Sequence, residues 1–178
     1  GVKIKGECMS SILVAYASPG GSTREVAEFV AETLRDAGLE VVLKSVNEVA
    51  SLEEYTALVL GAPMYNTLLH TDARQFLNRR KADLNDLKVA IFALGPVGKG
   101  DAGDFKGSRT QIDMELKRFP WLKPIALEMF GGKMKATDSG FLLNKIFKPT
   151  PAVDYRDWDA IKAWAQGLVE QLRSKDHV

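Results

Sequence analysis

The chain has 178 residues, 46% of them hydrophobic, and its 24 basic and 23 acidic side chains leave a net charge of +1. That length and apolar content suit one domain with a full core and leave little room for a second. A single cysteine, Cys8, excludes a disulfide framework, a cysteine-built zinc site and a phosphatase loop with a nucleophilic thiol. With only His70 and His177, no metal site is expected either, and no apolar run approaches the roughly 18 residues that cross a bilayer. Residues 1–8 read as a disordered extension or cloning remnant ahead of Met9 and Ser10, with residues 9–178 forming the single domain. The opening residues carry charge and lack a long apolar stretch, so no secretory signal is expected and the cytoplasm is the default.

Residues 12–16 form a short apolar run, suited to a buried strand. A small-residue loop follows, and from Ser22 the apolar side chains Val26, Ala27, Val30 and Leu34 recur at helical spacing. Gly38 supplies the stop for that helix. Residues 39–43 predict a second strand near an edge, and residues 47–55 a turn or short helix. The continuous run ALVLG at 57–61 predicts a central parallel strand, ending in a Pro-containing loop over 62–66. His70 reads as a helix-start residue, and 72–81 as a helix burying Ala73, Phe76 and Leu77. Residues 87–94 form the fourth strand and run into a loop rich in glycine from Gly95, with Gly103 and Gly107 further on. A helix over 109–118 closed by Pro120, a fifth strand over 125–130 and a last helix over 154–173 complete the chain. Five strands alternating with helices predict an α/β fold, a doubly wound parallel sheet in the order 2-1-3-4-5 with helices on both faces.

The first loop carries the most chemistry. Strand, small-residue loop and helix bring backbone N–H groups and the positive end of a helix dipole to one point, which is an anion site. A mononucleotide P-loop needs a Lys before its last Ser or Thr, and Gly21-Ser22-Thr23 has none. A dinucleotide loop needs G-x-G-x-x-G, whereas Gly20 and Gly21 are adjacent and no third glycine follows. Instead the loop offers the hydroxyls of Ser18, Ser22 and Thr23, with no Lys or Arg between Ile12 and Thr23. Neutral dipoles of this kind suit one terminal phosphate, the arrangement of a flavin mononucleotide (FMN).

The pattern Tyr16-x-Ser18-x-x-Gly21-x-Thr23-x-x-x-Ala27-x-x-Val30 resembles the phosphate signature of the flavodoxin family, with Ala15 where a larger apolar residue is usual. The resemblance implies a flavodoxin-like fold with FMN held by three loops at the carboxyl ends of the strands. The first contributes Ser18, Gly20, Gly21, Ser22 and Thr23; the second Pro63, Met64, Tyr65 and Asn66; the third Leu94, Gly95, Pro96, Val97 and Gly98. Tyr65 is expected to stack on the flavin ring or else to cap the core, and Met64 to pack on the ring edge. Backbone groups of Gly95 to Gly98 would meet the pyrimidine edge, with Lys99 or Arg109 as weaker candidates for added charge.

Further markers are Gly61-Ala62-Pro63-x-Tyr65, Phe130-Gly131-Gly132-Lys133 and Asp154-Tyr155-Arg156-Asp157-Trp158. Together they look like the quinone-dependent protoporphyrinogen dehydrogenase branch, flavodoxin-like FMN enzymes with an extra segment before the last helix. That segment is shorter and less basic here. It crowds Phe141, Leu142, Leu143, Ile146 and Phe147 among Lys133, Lys135, Lys145 and Lys148. Such a stretch suits peripheral contact at the inner face of a membrane, cover for a greasy substrate, or a helix packed on its own domain.

The resemblance implies an FMN-dependent oxidoreductase, taking electrons from a small-molecule or protein donor and passing them to a quinone-type acceptor. Flavin carries its own redox chemistry, so no catalytic acid or base is nominated. The alternative is a non-enzymatic carrier between protein partners. Carriers of this family are usually strongly acidic, a field that steers them onto basic partners, and a net charge of +1 lacks it. No nucleic-acid partner is expected.

Overall fold

The computed structural model describes residues 11–18, 20–65, 67–95, 102–134 and 153–174, with the backbone alone at 102–108, 134 and 153. The strands are β1 (Ser11–Tyr16), β2 (Glu40–Ser45), β3 (Tyr55–Tyr65), β4 (Leu68–Leu69), β5 (Lys88–Gly95), β6 (Ala126–Gly131), β7 (Lys133–Met134) and β8 (Val153–Asp154). The helices are α1 (Ser22–Asp36), α2 (Thr71–Arg79), α3 (Lys81–Leu84), α4 (Ala102–Leu116) and α5 (Trp158–Arg173), with a 3₁₀ turn over Val46–Glu48.

The main sheet runs β2-β1-β3-β5-β6, all neighbours parallel. This is the expected 2-1-3-4-5 order of the five long strands. The short β4 is an addition, paired antiparallel to the end of β3, and β7 with β8 forms a separate two-stranded ribbon.

Strand side chains alternate between two cores, as the pleat requires. Leu13, Leu58, Leu60 and Ile91 face one way, onto Phe76 and Leu77 of α2 and Ile112 of α4. Ile12, Val14, Val59 and Phe92 face the other, onto Val26 and Val30 of α1 and Ile161 and Leu168 of α5. Burial on both faces explains why the central strands are continuously apolar rather than alternating.

Three elements differ from expectation. Strand β3 does not stop at Gly61 but continues through Pro63 to Tyr65. Tyr16 at the end of β1 is level with Gly61, so residues 62–65 overhang β1, and Met64 and Tyr65 pair instead with β4. Proline is tolerated there: its carbonyl accepts from the His70 N–H at 2.9 Å on the side where β1 has ended, and no ladder donor is lost. Helix α4 begins at Ala102, so its backbone takes in Gly103 and Gly107, which composition assigned to the loop. Packing on β4 and β6 overrides their low helix propensity. Helix α5 begins at Trp158, capped by the Asp157 carboxylate on the Ala160 N–H at 3.1 Å, and Asp154 belongs to β8.

Gly38 sits at φ +88° and closes α1, its N–H donating to the Arg35 carbonyl at 2.8 Å. His70 is the N-cap of α2, its Nδ1 accepting from the Asp72 N–H at 3.2 Å. Among the described residues no helix is long and apolar enough to cross a membrane.

Candidate functional site

Parallel strands aim their carboxyl ends at one pole of the sheet, and β1, β3 and β5 all end there. The first loop leaves β1 with the Ala17 N–H bonded to the Gly61 carbonyl at 3.0 Å, which ties it to the middle of β3. Gly21 then takes φ +86°, a left-handed conformation that turns the chain into α1. A Cβ at Gly20 or Gly21 would meet nothing within 4 Å, so glycine there leaves open space in front of the backbone.

Gly21 is also the N-cap of α1, and glycine has no side chain to satisfy the first-turn amides. The Gly21 N–H at 3.0 Å and the Arg24 N–H at 3.4 Å both point at Ser18 Oγ. Both donors thus converge on the Ser18 hydroxyl oxygen, ahead of the helix, where the dipole also favours negative charge. Thr23 is 1% exposed and Ser22 half-buried. Arg24, the first cation after the loop, is held along the helix by Glu28 at 2.9 Å. The donor set is therefore backbone N–H and hydroxyl, and it fits a phosphate held without a cation.

Beyond this loop stands the β3–β4 hairpin. Tyr65 is 55% exposed, while Met64 faces the core and Pro63 is buried. The Tyr65 ring meets His70 edge-on, with centroids 6.0 Å apart. Thr67, in the turn, has φ +72°, a strained conformation for a β-branched residue. Leu94 and Gly95 end β5, both buried, and the Gly95 carbonyl accepts the Gly132 N–H at 2.9 Å. Asn66, Pro96, Val97, Gly98 and Lys99 lie outside the described residues. Arg109 is engaged on α4 and β6, 3.3 Å from Glu128 and 3.7 Å from Asp113.

The segment between β6 and α5 leaves and returns at the same pole. Its base is the β7–β8 ribbon, in which Lys133 is level with Asp154. Gly131 allows that base to close: a Cβ there would stand 2.4 Å from the Tyr155 carbonyl oxygen. Arg156 fastens it. Its side chain is 5% exposed, bonds both Asp154 oxygens at 2.9 and 2.8 Å, and reaches Glu25 in the first turn of α1. The guanidinium lies 4.8 Å over Trp158, which meets Phe29 of α1 edge-on. Arg156 lowers the Asp154 carboxyl to about 2 and also lowers that of Glu25; these partners raise the guanidinium in turn. The apolar, basic residues Phe141 to Phe147 themselves lie outside the described residues.

Two side chains escaped sequence reasoning. Arg156 was visible only as part of a motif. Glu115 is 2% exposed and ion-paired to Arg74 at 3.2 Å and Arg118 at 3.3 Å. Its signal was available: it stands at helical spacing between Ile112 and Phe119, both buried, so a carboxylate lies on an apolar stripe. Separately, a cavity of about 990 Å³ lies at the opposite pole, beside Leu87, Trp121, Ile125 and Gln171, far from these loops.

A family model for the flavodoxin domain matches residues 13–149. The chain belongs to the flavodoxin family. It is 24% identical over 89 residues to the protoporphyrinogen IX dehydrogenase [quinone] of Escherichia coli K12. That match covers 49% of each chain, so the chain spans about half the length of the curated relative. Among solved structures, oxidised Flavodoxin 2 from Bacillus cereus matches with a TM-score of 0.56 and 22% identity, over 91% of this chain and 99% of that one. The rubredoxin:oxygen oxidoreductase of Desulfovibrio gigas matches with a TM-score of 0.54 and 17% identity, over 92% of this chain and 36% of that one. The fold of this chain thus occurs both as a whole chain and as about a third of a larger one.

Proposed function

We propose that this chain binds FMN at the carboxyl pole of its sheet and works as an oxidoreductase, delivering electrons from a reduced donor to a quinone-type acceptor. The observation that carries the reading is the convergence of the Gly21 and Arg24 N–H groups on the Ser18 hydroxyl oxygen ahead of α1, the place a phosphate oxygen would take. Ser22 and Thr23 add hydroxyls beside it, Ser18 would turn its own hydroxyl to donate, and no loop cation is needed. Bound there, the cofactor supplies the electron-transfer chemistry, and the protein's task is binding, orientation and tuning.

Tyr65, exposed beyond the end of β1, is suited to lie against the ring. The Gly95 end of β5 carries the third loop toward the same pole; its residues Pro96, Val97 and Gly98, with Leu94 before them, complete the proposed contacts. Met64, proposed at the ring edge, is itself buried among core side chains.

Three features support the quinone reading over a general carrier. The net charge of +1 gives no acidic field for steering onto basic protein partners. The similarity to a quinone-linked dehydrogenase includes half of this chain. The base of the apolar, basic segment is fastened beside α1 by Arg156, and that segment suits a greasy acceptor or the surface of a membrane.

The test is an anaerobic titration of the FMN-loaded protein with a reduced nicotinamide and then a soluble quinone, followed by visible absorption. Bleaching that quinone reverses supports the reductase. A flavin that dithionite reduces but quinone does not reoxidise would turn the reading to a carrier between protein partners.

A further inference from the structure

We propose that Glu115 is a positioning residue that sets the attitude of Tyr65 by gripping the β3–β4 hairpin from α4. The proposal rests on the flavin reading of the site. Glu115 accepts the Leu69 N–H at 3.4 Å and lies 3.2 Å from Arg74 Nε, so one buried carboxylate joins β4 to α2. Those two elements are the ones that hold Tyr65. Leu69 pairs with Met64 and Leu68 with Tyr65, while the Arg74 N–H bonds the carbonyl of His70, whose ring lies against Tyr65.

Nothing about the core itself calls for a charge at this position. Ile112 and Phe119 flank Glu115 on the same stripe of the chain and are apolar, and burying a carboxylate is costly unless it is paired. The Glu115 side chain is fully buried, and its Oε2 and the Arg74 Nε have no well-aligned hydrogen-bond partner, so the pairing is electrostatic rather than a relaxed bidentate bridge. Such a contact is poor as a stabiliser and good as a register device. It fixes a two-residue strand that would otherwise hold on by a few backbone bonds. The turn it secures carries the positive φ of Thr67, so the hairpin needs an external hold to keep its shape.

The test uses the full chain with E115Q, and R74M as a second variant that leaves the buried carboxylate with Arg118. Without cofactor, amide exchange in the 64–70 region should quicken about tenfold in both variants, as loss of one buried contact implies, while β1 stays protected. With FMN bound, E115Q should move the midpoint potential in the same direction as Tyr65→Ala. Adding Tyr65→Ala to E115Q should then bring little further change, because both act through one ring. Unchanged exchange in both variants, or potential shifts that simply add, would overturn the proposal. If the unaltered chain takes up no FMN, the flavin reading of the site fails, and the exchange result still decides the hairpin latch by itself.

Discussion

The guanidinium of Arg156 joins the Asp154 carboxylate, at the end of the β7–β8 ribbon, to that of Glu25 in the first turn of α1. The ribbon is the base of the apolar segment, and α1 is the helix behind the loop proposed to hold the phosphate. Replacing Arg156 by Ala removes a side chain stacked on Trp158 as well as two ion pairs. The expected loss is about 1–2 kcal/mol of stability at neutral pH, read by urea unfolding.

The same pairs give a pH dependence of known sign. Arg156 holds Asp154 down from 3.8 to about 2, and depresses Glu25 as well. Depressed carboxylates stabilise the fold above their unfolded pKa, and that contribution is lost as pH falls through the folded value. The loss therefore lies between about pH 4 and pH 2, and is absent near neutrality. Both carboxylates are partly solvated, so screening keeps the effect below about 1 kcal/mol. Melting curves should fall more steeply with acid for the unaltered chain than for Arg156→Ala; parallel curves would dismiss the pairing.

Ser18→Ala and Thr23→Ala should each weaken FMN binding by about 1–3 kcal/mol, the cost of an unmet buried hydrogen bond. Ser18→Ala carries a second cost, because Ser18 Oγ also receives the Gly21 N–H that shapes the loop. Equilibrium dialysis with FMN measures both, and unchanged retention in the double variant would refute the phosphate assignment.

Tyr65→Ala should shift the midpoint potential of the bound flavin more than it weakens affinity, since on the proposed reading Tyr65 acts on the ring and the first loop on the phosphate. Redox titration beside dialysis separates the two effects. A lowered affinity with an unaltered potential would leave Tyr65 as a packing residue.

Thr67 has φ +72°, which suits glycine and strains a β-branched side chain. Thr67→Gly should therefore raise stability by about 1 kcal/mol rather than lower it. A drop in melting temperature would show that the Thr67 side chain makes a contact worth more than its strain.

Much of this was legible from the chain alone. The change from a strand-like run to 3.6-residue spacing at Ser22 marks the β1–α1 junction, and Gly38 marks the end of α1, as found. The sheet order followed from the alternation of apolar runs and helices. What escaped was decided by tertiary pairing. Pro63 reads as a strand breaker, yet β3 continues through it because β4 supplies a partner where β1 has ended. Gly103 and Gly107 read as loop, yet α4 includes them in its backbone because the helix packs on β4 and β6. Glu115 escaped as well, although its spacing to Ile112 and Phe119 sets it on an apolar stripe; what it grips is seen only in the fold.

The most direct measurement compares FMN with riboflavin, which differs only by the phosphate, in fluorescence titrations of the cofactor-free protein. Tight FMN binding with riboflavin weaker by at least about tenfold is the expected result, because the proposed phosphate site offers several N–H and hydroxyl donors. Equal affinity for the two, or no uptake of either, would contradict a phosphate site at Ser18 to Thr23 and the flavin function built on it.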